Sequence, residues 1–172
     1  MSEESIKSPL EKATREQLEQ ILARAEMYLS AQLQSGIAAD QRALVFAGFL
    51  ATGVIALLGA AGALLINQTS SAGYIAVGTA IGLLVALALS IYASRPVDFE
   101  FPGNNPCAWE GDIDSNMPLT KSLAGQALHY DHMILVNNAI LEKNCGYLAS
   151  SMYVAFGSLL GGGLAFVGYL AI

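Results

Sequence analysis

Residues 43 through 94 are 52 consecutive positions without an Asp, Glu, Lys or Arg, bounded by Arg42 and Arg95, and residues 144 through 172, after Lys143, are 29 more. All eight Lys/Arg and all fourteen Asp/Glu therefore fall in two blocks, residues 1–42 and 95–143. The hydrocarbon core of a bilayer is about 30 Å thick and takes about 20 apolar residues per helix. Because no water is present there to satisfy an open backbone, spans of this length are helices. The chain reads as an all-α integral membrane protein. Composition agrees, with 54% hydrophobic and 13% charged residues, against about 25% charged in soluble domains.

The first run exceeds one bilayer thickness more than twofold and has to be divided. The polar stretch Asn67-Gln68-Thr69-Ser70-Ser71 is the natural break, giving spans at 43–66 and 73–93 joined by a tight turn, a transmembrane hairpin within residues 43–93. Residues 146–172 supply a third span, so the expected architecture is three transmembrane helices, a hairpin plus one, with amphipathic helical extensions. Orientation follows from the cations, since short cytoplasmic flanks retain Lys and Arg. Arg42, Arg95 and Lys143 each stand at the charged end of a span, whereas residues 67–72 carry no charge. The expectation is a multi-pass protein of the cell inner membrane with residues 1–42 and 94–145 cytoplasmic and the C-terminus periplasmic. Residues 1–19 are acidic and lack the apolar core of a cleavable signal.

A net charge of −6 on the cytoplasmic side disfavours nucleic acid as a partner. Cys107 and Cys145 both fall on the side expected to be reducing, so no disulfide is anticipated.

Ser8-Pro9-Leu10-Glu11 has the form of a helix start, with Ser8 as N-cap and Glu11 placed to close a capping box. Leu18, Ile21/Leu22, Ala25, Tyr28/Leu29 and Gln32/Leu33 follow at three- and four-residue spacing, an apolar stripe that serves either packing within the chain or a coiled-coil partner. Gly36 is a place for that helix to bend. Residues 95–118 hold four of the five prolines and cannot form one long helix. Phe99, Phe101 and Trp109 mark the segment as an ordered loop at the membrane surface, a candidate partner interface. A second amphipathic helix is expected from about Asn116, with Pro118 in its first turn, through Leu123, Ala127, Tyr130, Ile134, Asn137/Asn138 and Leu141, continuing into the third span.

Residues with metal-binding or catalytic chemistry are sparse. His129 and His132 share a helix face, but Asp131 is turned away and a metal would need ligands from elsewhere. Asp112-Ile113-Asp114-Ser115-Asn116 starts like a calcium loop, yet Met117 and Leu123 stand where the turn glycine and the bidentate Glu belong. The sequon at Asn67 lies against the membrane. No phosphate-binding glycine loop, nucleophile elbow or zinc-protease motif occurs, and the spans hold no ionisable side chain of the kind that lines a transport path. No enzyme activity, cofactor or metal is expected.

The spans do carry glycines at close-packing intervals, Gly78 with Gly82 and Gly157 with Gly161. Small residues four apart let helix backbones approach where lipid supplies no hydrophobic drive. They serve either packing of the three spans or self-association of the lipid-embedded chain. Ser150, Ser151 and Ser158 add a mildly polar stripe.

The layout of cytoplasmic helix, hairpin opened by Ala39-Asp40-Gln41-Arg42-Ala43, cytoplasmic segment and long helix entering a last span resembles the small transmembrane effectors of bacterial antiphage systems, Pycsar transmembrane effectors and related SLATT-type proteins. That resemblance implies a protein engaged on its cytoplasmic side, by a nucleotide signal or a protein partner, that then oligomerises and impairs the membrane. The rival expectation is a structural or accessory subunit of a larger membrane complex, with Phe99–Trp109 as a docking surface.

Overall fold

The computed structural model describes residues 9–67 and 70–171. Helix α1 spans Arg15–Ile66, α2 Ser70–Ala93, α3 Glu110–Asp114 and α4 Leu119–Leu170, with a 3-10 turn over Pro106–Trp109. No strand occurs among the described residues. The protein is all-α, and α1, α2 and α4 are each long and apolar enough to cross a membrane.

The start of α1 differs from the expectation. Ser8 lies outside the described residues; Pro9 and Leu10 are helical, residues 11–14 interrupt the helix, and α1 begins at Arg15. Thr14 is its cap. The Gln17 amide donates to Thr14 Oγ1 at 3.3 Å and the Thr14 amide to Gln17 Oε1 at 2.9 Å, a capping box that satisfies two otherwise orphaned donors. Ala13 and Leu18, the residues flanking this box, belong to one apolar cluster, the staple that fixes how a chain enters a helix. At Gly36 the helix does not break. The Phe99 ring packs against it, 3.5 Å from where a Cβ would sit, an ordinary van der Waals distance.

The chain forms two compact units, to both of which α1 and α4 contribute. In the first, residues 9–37 and 97–141, Leu18 packs with Leu123 and Ala124, and Leu29 with Tyr130 and Met133. Partners on α1 and α4 advance together along the sequence, so the two helices are parallel. The separation stays nearly constant, 104 residues for the Glu26–Tyr130 hydrogen bond and 106 for Gln32–Asn138. Constant register over several turns is the mark of a shallow, coiled-coil-like crossing.

In the second unit, residues 38–96 and 142–171, Leu50 and Val54 of α1 meet Leu83 and Ala86 of α2 and Ala155 of α4. Two buried hydroxyls tie the helices: Ser90 donates to the Ala43 carbonyl at 2.7 Å and Ser151 to the Ala86 carbonyl at 2.6 Å. Each such bond between apolar helices is worth about 0.6–2 kcal/mol. Here partners on α2 fall as those on α1 and α4 rise, so α2 is antiparallel to both. That is the geometry three successive spans require. At one end Tyr92 and Tyr147 stack edge to face at 4.7 Å, and the Arg95 guanidinium lies 4.0 Å over the Tyr92 ring.

Candidate functional site

The loop from Val97 to Pro118 is the chain's one long irregular stretch among the described residues, and α4 presents a row of polar side chains that hold it. Gln126, Tyr130 and Asn137 recur at four and seven residues, one helical face. Asn137 is fully buried. Its amide accepts the Glu100 N–H at 2.9 Å, donates to the Glu100 carbonyl at 2.8 Å, and reaches Gln32 Oε1 of α1 at 3.3 Å. Gln32 in turn donates to the Ile134 carbonyl and to Asn138 Oδ1. One side chain thus completes both backbone hydrogen bonds of a loop residue and cross-links the two helices beneath it.

Tyr130 repeats the pattern one step along. Its hydroxyl accepts the Gly103 N–H at 3.3 Å and donates to Glu26 Oε1 at 3.0 Å. Burial, together with the hydrogen bond that Glu26 accepts, raises the phenol above its usual range, so it remains a donor through physiological pH. Gly103 has φ +113°, a conformation few side chains tolerate. Asn104 Nδ2 donates to Gln126 Oε1 at 2.8 Å. The Gln126 Nε2 is buried and without a partner among the described residues.

Past Gly103, Asn105 accepts the Cys107 amide and Pro106 opens the 3-10 turn. Helix α3 then closes with the Met117 amide on the Asp112 carbonyl and the Asn116 amide on the Ile113 carbonyl, with Asn116 at φ +51°. This is a Schellman stop with Asn in the left-handed position. It moves the start of α4 to Leu119 from the expected Asn116, with the Pro118 carbonyl as first acceptor. It also places Asp112 and Asp114 in a helix, not in a cation-binding loop.

The three loop aromatics part company. Phe99 packs at Gly36 and Trp109 joins the Leu18–Leu123 cluster, whereas Phe101 is 68% exposed. Two are anchors and one faces outward. His129 and His132 are exposed, and no three His, Cys, Asp or Glu side chains group to hold a metal among the described residues. Cys107 and Cys145 are free and exposed.

The span glycines divide as well. A Cβ at Gly82 would collide with Ser158, and one at Gly162 with Thr79, so these two are used where α2 meets α4. Gly78, Gly157 and Gly161 meet nothing within 4 Å and line a shallow groove on the α2–α4 face with Thr79 and Ser158. Gly162, which the four-residue spacing passes over, is the partner that Thr79 requires.

Comparison of the chain with protein-family models, with curated proteins and with solved structures gives no match.

Proposed function

We propose that this is a non-enzymatic effector of the bacterial inner membrane that self-associates through its spans and impairs membrane integrity when its cytoplasmic portion is engaged, in antiphage defence. The observation that supports the reading is the open groove of Gly78, Gly157 and Gly161, which has no occupant among the described residues. A helix of a second copy would find close backbone approach there, the source of association between helices in lipid. With no ionisable group in the spans a single copy offers no conducting path, so any pore depends on assembly. The N-terminus and residues 94–145 lie in the cytoplasm and the C-terminus in the periplasm, by the placement of Arg42, Arg95 and Lys143. The input, a nucleotide signal or a protein partner, acts on the unit built around the clamped loop.

The test is the oligomeric state of the purified protein in detergent, wild type against Gly157→Leu with Gly161→Leu. Loss of the oligomer supports the reading; unchanged size removes the groove from assembly. Reporter fusions after Leu10, Asn105 and Ile172 should give cytoplasm, cytoplasm and periplasm, and a periplasmic signal at Asn105 would overturn the orientation. A second reading, an accessory subunit of a membrane complex, draws on the outward Phe101 and Ile113 of the loop segment; stable copurification with a partner in fixed ratio would favour it.

A further inference from the structure

Beside the clamped loop lies a pocket of about 310 Å³, lined by Asn104, Trp109, Asp112, Lys121, Gln126 and His129 among others. Its size is at the lower end of small-molecule sites. Lys121, Gly125 and His129 follow at four-residue intervals, so they stack along one face of α4 with a gap in the middle. A Cβ at Gly125 would meet nothing within 4 Å. A glycine in a helix interior is a poorer choice than alanine unless the space is needed, and Gly125 borders both this pocket and an apolar one formed by Leu10, Met117, Ala124 and Leu128. The wall carries an exposed cation, Lys121, and one carboxylate, Asp112, with Glu11 beside Lys121 in the adjoining pocket, and no ion pair joins Lys121 to either among the described residues. Asn104 is already held by Gln126, so that part of the wall is ordered before a ligand arrives.

We propose that this pocket binds a small zwitterion of the size of a free amino acid, its carboxylate toward Lys121 and its ammonium toward Asp112, with the Trp109 ring as the apolar wall. A solute with a single charge engages either Lys121 or Asp112, whereas a zwitterion engages both. The inference goes beyond the reading above: it gives this unit a small-molecule ligand distinct from the nucleotide signal or protein partner named there, and it stands independently of that reading.

Trp109 is the sole tryptophan and lines the site, so its fluorescence reports occupancy. The full chain in lipid nanodiscs is titrated with each of the common free amino acids, with acetate and ethylamine as single-charge probes, exciting where tyrosine does not absorb. The expected result is a saturable change with at least one amino acid, weakened roughly tenfold or more in Lys121→Gln and in Asp112→Asn through loss of a charged hydrogen bond. Acetate and ethylamine should bind correspondingly less well. Gly125→Leu, which fills the gap, should abolish the response; circular dichroism checks its fold, and the two polar variants stand in if it fails. No saturable response to any amino acid, or equal affinity for acetate or ethylamine, overturns the proposal. So does undiminished binding by folded Gly125→Leu.

Discussion

Asn137→Ala removes a fully buried side chain that joins loop, α4 and α1. Three hydrogen bonds go, two to Glu100 and one to Gln32. A typical hydrogen bond contributes about 0.5–1.5 kcal/mol net, and a buried group left unpaired costs about 1–3 kcal/mol. Glu100 is itself exposed, so water can recover its backbone groups, which puts its two bonds at the lower end. Gln32 is buried at 5% exposure and loses a partner without solvent to replace it. The Gln32 loss falls on the α1–α4 contact whether the loop is open or closed, so local opening of the loop is eased by the two Glu100 bonds alone, about 1–2 kcal/mol or roughly 5- to 30-fold in the opening equilibrium. Amide hydrogen exchange resolved by residue measures this directly. The Glu100 amide should exchange faster by that factor, while amides in the middle of α2 keep their protection. Asn138→Ala is the matched control, since Asn138 is exposed and makes one bond, to Gln32. Equal Glu100 exchange in wild type and Asn137→Ala would refute the clamp, as would an equal effect from Asn138→Ala.

Gly82→Leu should lower the unfolding temperature of the monomer, because its side chain meets Ser158, whereas Gly157→Leu and Gly161→Leu should leave that temperature near wild type and change only self-association. Gly103→Ala places a Cβ at φ +113° and should destabilise the loop by about 1–3 kcal/mol, read as faster exchange of the Gly103 and Asn104 amides. Asp40 has its carboxyl raised by burial, so ionising it costs more in the folded chain than in the unfolded one. Its contribution is most favourable below the ordinary carboxylate range and is lost as pH climbs through the raised value. Asp40→Asn should therefore melt higher than wild type at neutral pH, and the difference should vanish in acid; a constant difference across pH would contradict the cause.

The three helices are legible in the sequence because charge is excluded from lipid over a length that only a span needs. The parity of the cationic flanks likewise anticipates that the first and third helices run parallel. Local starts are harder to read. Ser8-x-x-Glu11 and Thr14-x-x-Gln17 both fit a capping box, and the second is supported by tertiary packing, Ala13 and Leu18 lying in one cluster. Asn116 has the ordinary look of a helix cap, but its left-handed backbone ends α3. The clamp is the largest omission. Gln32 and Asn137 fall on the apolar stripes of their helices, and a polar amide at a core-facing position is itself the signal, because it is stable there only with a fixed partner. The division of the glycines is invisible to spacing, since Gly78 and Gly82 share one motif yet only Gly82 meets a side chain.

Membrane potential in living cells tests the effector reading most directly. Cells producing the wild-type chain, alone and during phage infection, are compared with cells producing equal amounts of Gly157→Leu with Gly161→Leu, using a potential-sensitive dye alongside growth. The account predicts depolarisation and growth arrest with the wild type in at least one of the two conditions, and neither with the double variant, because conduction requires the copies to assemble. A normal potential in both conditions, with the protein copurifying in fixed ratio with a larger complex, would contradict it.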